Sequence, residues 1–248
     1  MRTVVLSRAQ VWRGPLILVN RDHPLRCPYP LDPVPALPSC PDVLLDRQAA
    51  GLLGACVRAA GGAEEIVPVS GWRSLEEQRR IWDGSLAGHG ETFTRRYVAL
   101  PGCSEHQTGL AIDLGRRAER IDFLRPDFPN RGACGAFRRL AARYGFIQRY
   151  RREKEALTGI AREPWHFRYV GPPHAQLMVR HRLALEEYAS FLRWEGPCSC
   201  TLPNGRAAQV FYVPCEGEET ALELPDGCCQ VSGDNDGGFL VTVWGVPA

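Results

Sequence analysis

The residues of this chain best suited to chemistry are two histidines and an aspartate, which lie in two short stretches. Residues 104–113 contain His106 and Asp113, and residues 163–166 end at His166. Two imidazoles and one carboxylate suit a catalytic zinc ion that keeps its fourth position open for water. Glu163 is not needed as a ligand and is placed to act as a general base. The set therefore indicates a metallopeptidase site.

A simpler explanation is that these residues are separate polar side chains, each satisfied by hydrogen bonds. The ordered set, with a glutamate beside its last member, favours a metal site instead. Zinc fits because amide hydrolysis needs a Lewis acid and a nucleophilic water near neutral pH, and needs no redox chemistry. We expect one zinc ion per chain, held by His106, Asp113 and His166.

The surrounding sequence predicts the elements that hold these side chains. A turn closed by Gly109 precedes an alternating run, residues 110–114, which is typical of a β-strand and carries Asp113. Pro164 fixes the backbone of the second stretch, and residues 167–170 continue as a strand. The ligands and the base are therefore expected to face one cavity.

The pattern Ser-x-His-x-x-Gly-x-Ala-x-Asp at 104–113, followed by Glu-x-Trp-His at 163–166, resembles the bacterial D-Ala-D-Ala metallopeptidases of the VanX, VanY and VanXY type, which are related to hedgehog-type domains. Residues 70–74, Ser-Gly-Trp-Arg-Ser, look like that family's arginine-bearing strand end, and residues 16–20 look like the opening of its VanY-like members. The resemblance covers residues 12–194. It implies an α+β fold, in which a small antiparallel sheet carries a zinc site and helices flank the sheet.

Four further residues are candidates for roles at the site, two of them through the resemblance. Arg73 matches the family's arginine by position and is the candidate donor to the oxyanion, although a surface ion pair is the alternative. Ser104 resembles a substrate-contacting serine, and Gln78 is a second candidate; either could instead be a cap or a hydrogen bond at the core rim. Trp165 is expected to form the wall of the substrate cavity.

The function implied is that of a zinc D-alanyl-D-alanine carboxypeptidase, with D,D-dipeptidase activity as an addition. The substrate is then a free dipeptide or a cell-wall precursor peptide that ends in D-Ala-D-Ala. An L,D-carboxypeptidase or a cell-wall endopeptidase would use the same zinc site, and the rim at 84–103 and 149–162 would decide between them. A non-catalytic zinc-binding interaction module is a third hypothesis, which Glu163 and Arg73 disfavour.

Composition is that of an ordinary globular protein, with 44% hydrophobic and 23% charged residues. The net charge of +2 is too small to indicate a nucleic acid or an anionic membrane surface as partner. We expect the basic run 149–152 to be a solvated face. The sequence leaves the oligomeric state open.

Compartment is predicted from the apolar segments and the cysteines. No apolar stretch approaches the roughly 18 residues of a membrane span, and the N-terminal apolar run is too short for a secretory signal, so we expect a cytoplasmic protein. The ten cysteines should then be mostly free thiols. The C-x-C and C-C spacings between residues 198 and 229 do not match paired C-x-x-C zinc knuckles.

We expect two domains, a peptidase domain at 1–194 that begins with an arm at 1–45, and a small β-rich appendage at 195–248. Residues 23–41 of the arm hold seven prolines and should be extended. The patterns predict the following elements: strands at 16–19, 66–70, 210–213 and 239–244; helices at 46–60, 74–84, 136–144 and 174–192, the last with His181 on its core face; loops at 84–103 and 149–162; and a turn at Asn204-Gly205.

Overall fold

The computed structural model describes residues 1–202 and 205–245, so that Asn204 of the predicted turn lies outside the described residues. The strands are β1 (Arg2–Ser7), β2 (Pro33–Leu37), β3 (Cys40–Asp46), β4 (Ile66–Ser70), β5 (Ala111–Arg116), β6 (Phe146–Gln148), β7 (His166–Tyr169), β8 (Cys198–Thr201), β9 (Ala207–Pro214), β10 (Glu219–Leu224), β11 (Cys229–Gly233) and β12 (Gly238–Trp244). The helices are α1 (Arg47–Ala59), α2 (Leu75–Tyr97), α3 (Gly132–Leu140), α4 (Glu155–Thr158), α5 (Pro172–Arg180) and α6 (Leu185–Glu195).

An antiparallel sheet of four strands, in the order β4-β5-β7-β6, lies at the centre of the first part of the chain. Its register sets Asp113 of β5 opposite Ser70 on one side and opposite His166 of β7 on the other. The two sequence stretches that carry the predicted ligands are therefore neighbouring strands. The α+β fold predicted from the sequence, with a small antiparallel sheet and flanking helices, is confirmed.

Helices α1 and α3 cover one face of this sheet with apolar side chains. The rings of Phe128, Phe137 and Phe167 meet edge to face, with centroids 5.0 to 5.9 Å apart, a favoured arrangement for aromatic pairs. Helix α1 begins where the Asp46 carboxylate accepts hydrogen bonds from two backbone amides of the first turn, and it agrees with the helix predicted at 46–60. The sheet is thus held rigidly from behind.

Helix α2 begins as predicted, because the Ser74 hydroxyl accepts a hydrogen bond from the backbone N–H of Glu77. It continues to Tyr97, however, so the predicted helix end near Gly84 is wrong, and the loop predicted at 84–103 is found only at 98–103. Gly84 has no neighbour that a Cβ would meet, and a glycine in an exposed helix costs only about 1 kcal/mol. The backbone leaves helical geometry at Gly90 alone, with φ at 77°.

The strand predicted at 16–19 is also wrong, although this segment is buried. The backbone N–H of Leu18 donates to the carbonyl oxygen of Asp234, and that of Leu16 donates to the Ser232 hydroxyl. These bonds reach single groups of the C-terminal part rather than a strand edge, so no ladder forms. The N-terminal strand is instead β1, which pairs antiparallel with β10.

The helix predicted at 174–192 is two helices, α5 and α6. Arg182 takes the left-handed conformation at φ 55°, and the N–H of Leu183 donates to the carbonyl oxygen of Met178, which ends α5. His181 at this break is exposed, so its predicted core position is wrong. The buried histidine of this region is His174.

The C-terminal part forms an antiparallel sheet in the order β11-β12-β9-β8. The strands predicted at 210–213 and 239–244 lie within β9 and β12, which pair with each other. Helices α5 and α6 pack against this sheet through an apolar cluster that includes Leu177, Tyr188 and Val210. In the part of the chain that the structure describes, no helix is both long and apolar enough to cross a membrane.

Candidate active site

The structure brings His106, Asp113 and His166 together, the last two on β5 and β7, the inner strands of the central sheet. One ligand atom from each lies within 4.8 Å of the others, and all three side chains are buried. Nε2 of His106 is 3.2 Å from Oδ2 of Asp113, and Nδ1 of His166 is 3.0 Å from Oδ1 of the same carboxylate. A single cation could therefore contact all three side chains.

His106 is held by the backbone of the segment that follows β4. Its Nδ1 lies 2.7 Å from the carbonyl oxygen of Gly71, so Nδ1 donates and the lone pair of Nε2 is left to face Asp113. A Cβ at Gly71 would lie 2.0 Å from the carbonyl oxygen of Leu44. Only glycine permits this approach, and the carbonyl group that orients His106 depends on it.

The pKa values of the two histidines shift in opposite directions. Burial, and then the charge of Arg73, lower the pKa of His106 to about 4. Burial also lowers the pKa of His166, but the nearby carboxylates of Asp113 and Glu105 outweigh it, and the pKa rises to about 9. A metal ligand must be a neutral imidazole. His106 is already neutral near pH 7, and at His166 a cation would take the place of the proton.

Asp113 has the character of a metal ligand. Burial opposes its ionisation, but His106 and His166 outweigh burial and hold the pKa of Asp113 well below its usual range. Its Oδ1 atom is buried and, among the described residues, has no hydrogen-bond partner. A buried acceptor is rarely left unsatisfied. This orphaned oxygen between two imidazoles fits a zinc ion.

Glu163 lies beside the three predicted ligands, with Oε2 at 3.6 Å from Nδ1 of His166. Its backbone N–H donates to the carbonyl oxygen of Tyr150, which fixes the residue at the entrance to β7. Burial raises the pKa of Glu163 to about 8, although the charge of His166 opposes the rise. A carboxylate with a raised pKa in a cleft suits proton transfer near neutral pH.

Arg73 is buried, so the alternative of a surface ion pair is wrong. Its Nε donates to the Ser70 hydroxyl at 2.8 Å, and Nη1 donates to Oε1 of Gln78 at 3.3 Å. Nη2 donates to Oδ2 of Asp113 at 3.0 Å. Gln78 in turn donates to the carbonyl oxygen of Ala99. These contacts hold the guanidinium in one orientation at the site.

One cleft with a volume of about 470 Å³ is lined by all of the residues singled out in the sequence. These are Arg73, Gln78, Ser104, His106, Asp113, Glu163, Trp165 and His166. The lining also contains Tyr150 and Phe123, which sequence reasoning missed. The ring centroid of Tyr150 lies 4.8 Å from that of His166. The prediction that the run 149–152 is a solvated face is wrong for Arg149 and Tyr150, which are both buried.

Comparison with known proteins gives consistent matches. The family described as VanY, D-alanyl-D-alanine carboxypeptidase, matches residues 44–172. A bifunctional D-Ala-D-Ala dipeptidase and carboxypeptidase, VanXYC of Enterococcus gallinarum, is 45% identical over 179 residues, which are 71% of this chain and 94% of that protein.

Two solved structures extend the likeness to three dimensions. The vancomycin resistance D,D-dipeptidase VanXYg, in complex with a D-Ala-D-Ala phosphinate analogue, superposes with a TM-score of 0.94 and 46% identity over 98% of each chain. A mutant of the vancomycin resistance D,D-pentapeptidase VanY in complex with Zn(II) has a TM-score of 0.58 and 30% identity, over 71% of this chain and 98% of that one.

Proposed function

Because this chain belongs to the VanY family of D-alanyl-D-alanine carboxypeptidases, we propose that it is a zinc-dependent D,D-peptidase that removes D-alanine from peptides ending in D-Ala-D-Ala. The family predicted from the sequence is confirmed. The observation that carries the function is the convergence of His106, Asp113 and His166 within 4.8 Å, with Glu163 on the same cleft.

The proposed roles follow from this geometry. A zinc ion bound by the three side chains would supply Lewis acidity and make water a nucleophile near neutral pH. Glu163 accepts the proton of the attacking water and returns it to the leaving amine, because its pKa of about 8 lets it hold a proton between the two steps. General acid–base catalysis of this kind contributes about 10²–10⁴-fold in rate.

Arg73 is the proposed donor to the oxygen that gains charge when the scissile carbonyl is attacked. Its guanidinium is fixed by Ser70, Gln78 and Asp113 before substrate arrives, and a preorganised donor needs no rearrangement as charge develops. Ser104 and Trp165 line the same cleft. We propose that Ser104 contacts the substrate and that Trp165 forms a wall of the cavity.

The substrate class is proposed to include both the free dipeptide and longer peptides. The relative VanXYC is described as bifunctional, and the relative VanXYg is described as a D,D-dipeptidase bound to a D-Ala-D-Ala analogue. VanXYg and the zinc-bound VanY mutant are described as vancomycin resistance peptidases. A cell-wall precursor peptide ending in D-Ala-D-Ala is therefore the expected longer substrate.

We also propose a cytoplasmic location and keep the division at residue 194 as a proposal. All ten cysteines are unpaired in the structure. Free thiols suit a reducing compartment, because disulfides form and persist in oxidising ones. Cell fractionation with an antibody to the protein would test the location, and recovery outside the cytoplasm would refute it. The separate expression of residues 1–194 would test the domain boundary.

The function is tested by measuring alanine release from D-Ala-D-Ala and from a pentapeptide that ends in it, with zinc-loaded protein. Glu163→Ala is the matched control because the variant keeps the three ligands. We expect release by the wild type and a loss of about 10²–10⁴-fold in the variant, which should still bind zinc. The ratio of the two wild-type rates measures the preference for dipeptide or longer peptide.

Failure of this assay has distinct meanings. If the zinc-loaded protein released alanine from neither substrate, the D,D-peptidase proposal would be refuted. Release from peptides with an L,D bond would then establish the L,D-carboxypeptidase alternative. If no peptide were cleaved while zinc remained bound, the interaction-module alternative would stand.

A further inference from the structure

Glu105 precedes the first predicted ligand and is fully buried beneath the cleft, on the short 3-10 turn Glu105–Thr108. Its carboxylate oxygen Oε1 lies 2.8 Å from Nε of Arg149. The same oxygen lies 2.9 Å from Nη1 of Arg168. One oxygen of Glu105 therefore takes both guanidinium groups, and the second oxygen is left for another partner.

That second oxygen, Oε2 of Glu105, faces the ring of His166. It lies 3.5 Å from Nε2 of His166, and neither atom has a hydrogen-bond partner within the described residues. A buried polar atom without a partner destabilises the protein, and a hydrogen bond between these two atoms satisfies both. The other ring nitrogen, Nδ1, lies 3.0 Å from Oδ1 of Asp113. A proton on Nε2 thus leaves the lone pair of Nδ1 facing the predicted ligand set.

We propose that Glu105 is a positioning residue for His166, whose Nε2–H it accepts, so that the ring is held in the tautomer and orientation that present Nδ1 to zinc. This inference rests on the zinc site of the proposed function. Carboxylates that hold a metal-bound histidine in this way typically contribute about 10–100-fold in metal affinity.

The charges around Glu105 keep it an acceptor. Arg149 also donates two hydrogen bonds to Glu186, at 2.8 and 2.6 Å, so two carboxylates face two guanidinium groups and the cluster is neutral. The remaining donors of Arg168 bind backbone carbonyl oxygens, which fixes that side of the cluster. Glu105 is therefore a carboxylate whose Oε1 is held by the two arginines and whose Oε2 faces His166.

The first test compares Glu105→Gln with Glu186→Gln by measuring zinc affinity in competition with a chelator. In Glu105→Gln the amide oxygen is needed by the two arginines, so its NH₂ group faces His166 and favours the wrong tautomer. We expect zinc affinity to fall about 10–100-fold. Glu186→Gln removes the same charge from the same cluster without touching His166, and should lower thermal stability but leave zinc affinity unchanged.

Equal zinc affinities in the wild type and Glu105→Gln would overturn the positioning role alone. An equal loss in both variants would also overturn it, because the effect would then follow the charge of the cluster. Failure of the wild type to bind zinc would instead refute the zinc site on which the inference rests.

A second test needs no variant, so it decides the question even where Glu105→Gln does not fold. Nitrogen NMR of the zinc-loaded wild type, labelled with ¹⁵N-histidine, reports which ring nitrogen carries a proton. His106 donates from Nδ1 to Gly71, so the two zinc-bound histidines should show opposite tautomers, with His166 protonated at Nε2. Two zinc-bound histidines that are both protonated at Nδ1 would overturn the proposal.

Discussion

The two four-stranded sheets of this chain bury polar groups in different ways. Around β4-β5-β7-β6 many of the buried polar groups are ionisable, namely Arg73, Glu105, His106, Asp113, Arg149, Glu163, His166 and Arg168. Around β11-β12-β9-β8 they are mostly neutral, such as Ser232 and Thr242. The buried carboxylate there, Asp234, accepts three backbone N–H groups through one oxygen.

The difference teaches where this chain carries function. A buried ion costs several kcal/mol unless it is paired in good geometry. Four buried atoms of the first set have no hydrogen-bond partner within the described residues: Glu105 Oε2, Asp113 Oδ1, His166 Nε2 and Arg168 Nη1. Such atoms destabilise a fold on their own and are expected where a ligand completes the site. Around the C-terminal sheet most buried polar groups are satisfied within the protein, and Oδ1 of Asn235 is an exception among the described residues.

The largest difference between the two regions is expected in kcat, when one arginine in each region is replaced by lysine. Arg73→Lys leaves a single ammonium group that cannot reach Ser70, Gln78 and Asp113 together, because lysine lacks the planar fork of arginine. We expect kcat to fall about 10²–10³-fold, the range for loss of one oxyanion donor. The measurement is steady-state alanine release by the zinc-loaded variant.

Arg193→Lys is the matched control, since Arg193 is half-exposed and contacts Tyr212 and Asp234 of the C-terminal part. Its kcat should equal that of the wild type. Comparable losses in both variants would mean that the activity depends on the fold as a whole rather than on the buried guanidinium at the cleft.

Zinc binding should stabilise the peptidase sheet β4-β5-β7-β6 more than the C-terminal sheet. Binding to the folded state alone adds about 2.7 kcal/mol when free zinc is 100 times its dissociation constant. We expect hydrogen exchange to slow at β5 and β7, which carry Asp113 and His166, with a smaller change at β12. Asp113→Asn should abolish the zinc-dependent difference. Equal protection of both sheets would contradict the local character of the site.

Much of the site could be predicted from sequence because its residues lie in two short runs whose spacing reflects local geometry. Gly109, whose φ is 67°, closes the turn that carries His106. The hydroxyl of Ser74 caps the helix that follows Arg73. These features depend on neighbours within a few residues. Local chemistry therefore sufficed to predict that the proposed ligands and the proposed base lie together on one cleft.

The support beneath the site could not be predicted, since its members meet only through tertiary contacts. Glu105 belongs to the first run but binds Arg149 and Arg168, which come from later strands or their ends. The pairing of β1 with β10 joins opposite ends of the chain. In such cases the sequence shows a charge or an apolar run, and only the fold shows its partner.

The smallest effect concerns His174, which links helix α5 to helix α6 and to the C-terminal sheet. Its Nδ1 lies 2.8 Å from the hydroxyl of Tyr188, and its Nε2 lies 2.8 Å from the hydroxyl of Thr242 in β12. Burial lowers the pKa of His174 from 6.5 to about 3. The folded state therefore holds this histidine neutral at pH values where the unfolded chain takes up a proton.

The sign of the pH effect follows from this difference. The stabilising contribution of neutral His174 is complete above pH 6.5 and is lost as the pH falls from 6.5 towards 3. At pH 5 the loss is about 2 kcal/mol, since each unit of pKa difference is worth about 1.36 kcal/mol. In His174→Gln the free energy of unfolding of zinc-free protein should fall less between pH 7.5 and pH 5, by about that amount.

His181→Gln is the matched control for this titration, because His181 lies just after the same helix but is exposed. Its free energy of unfolding, measured by urea titration at both pH values, should show the same acid dependence as the wild type. If His174→Gln also kept the full acid dependence, the acid sensitivity would belong to the ionisable groups of the peptidase sheet. The contact between His174 and Thr242 of the C-terminal sheet would then make no contribution to the acid dependence.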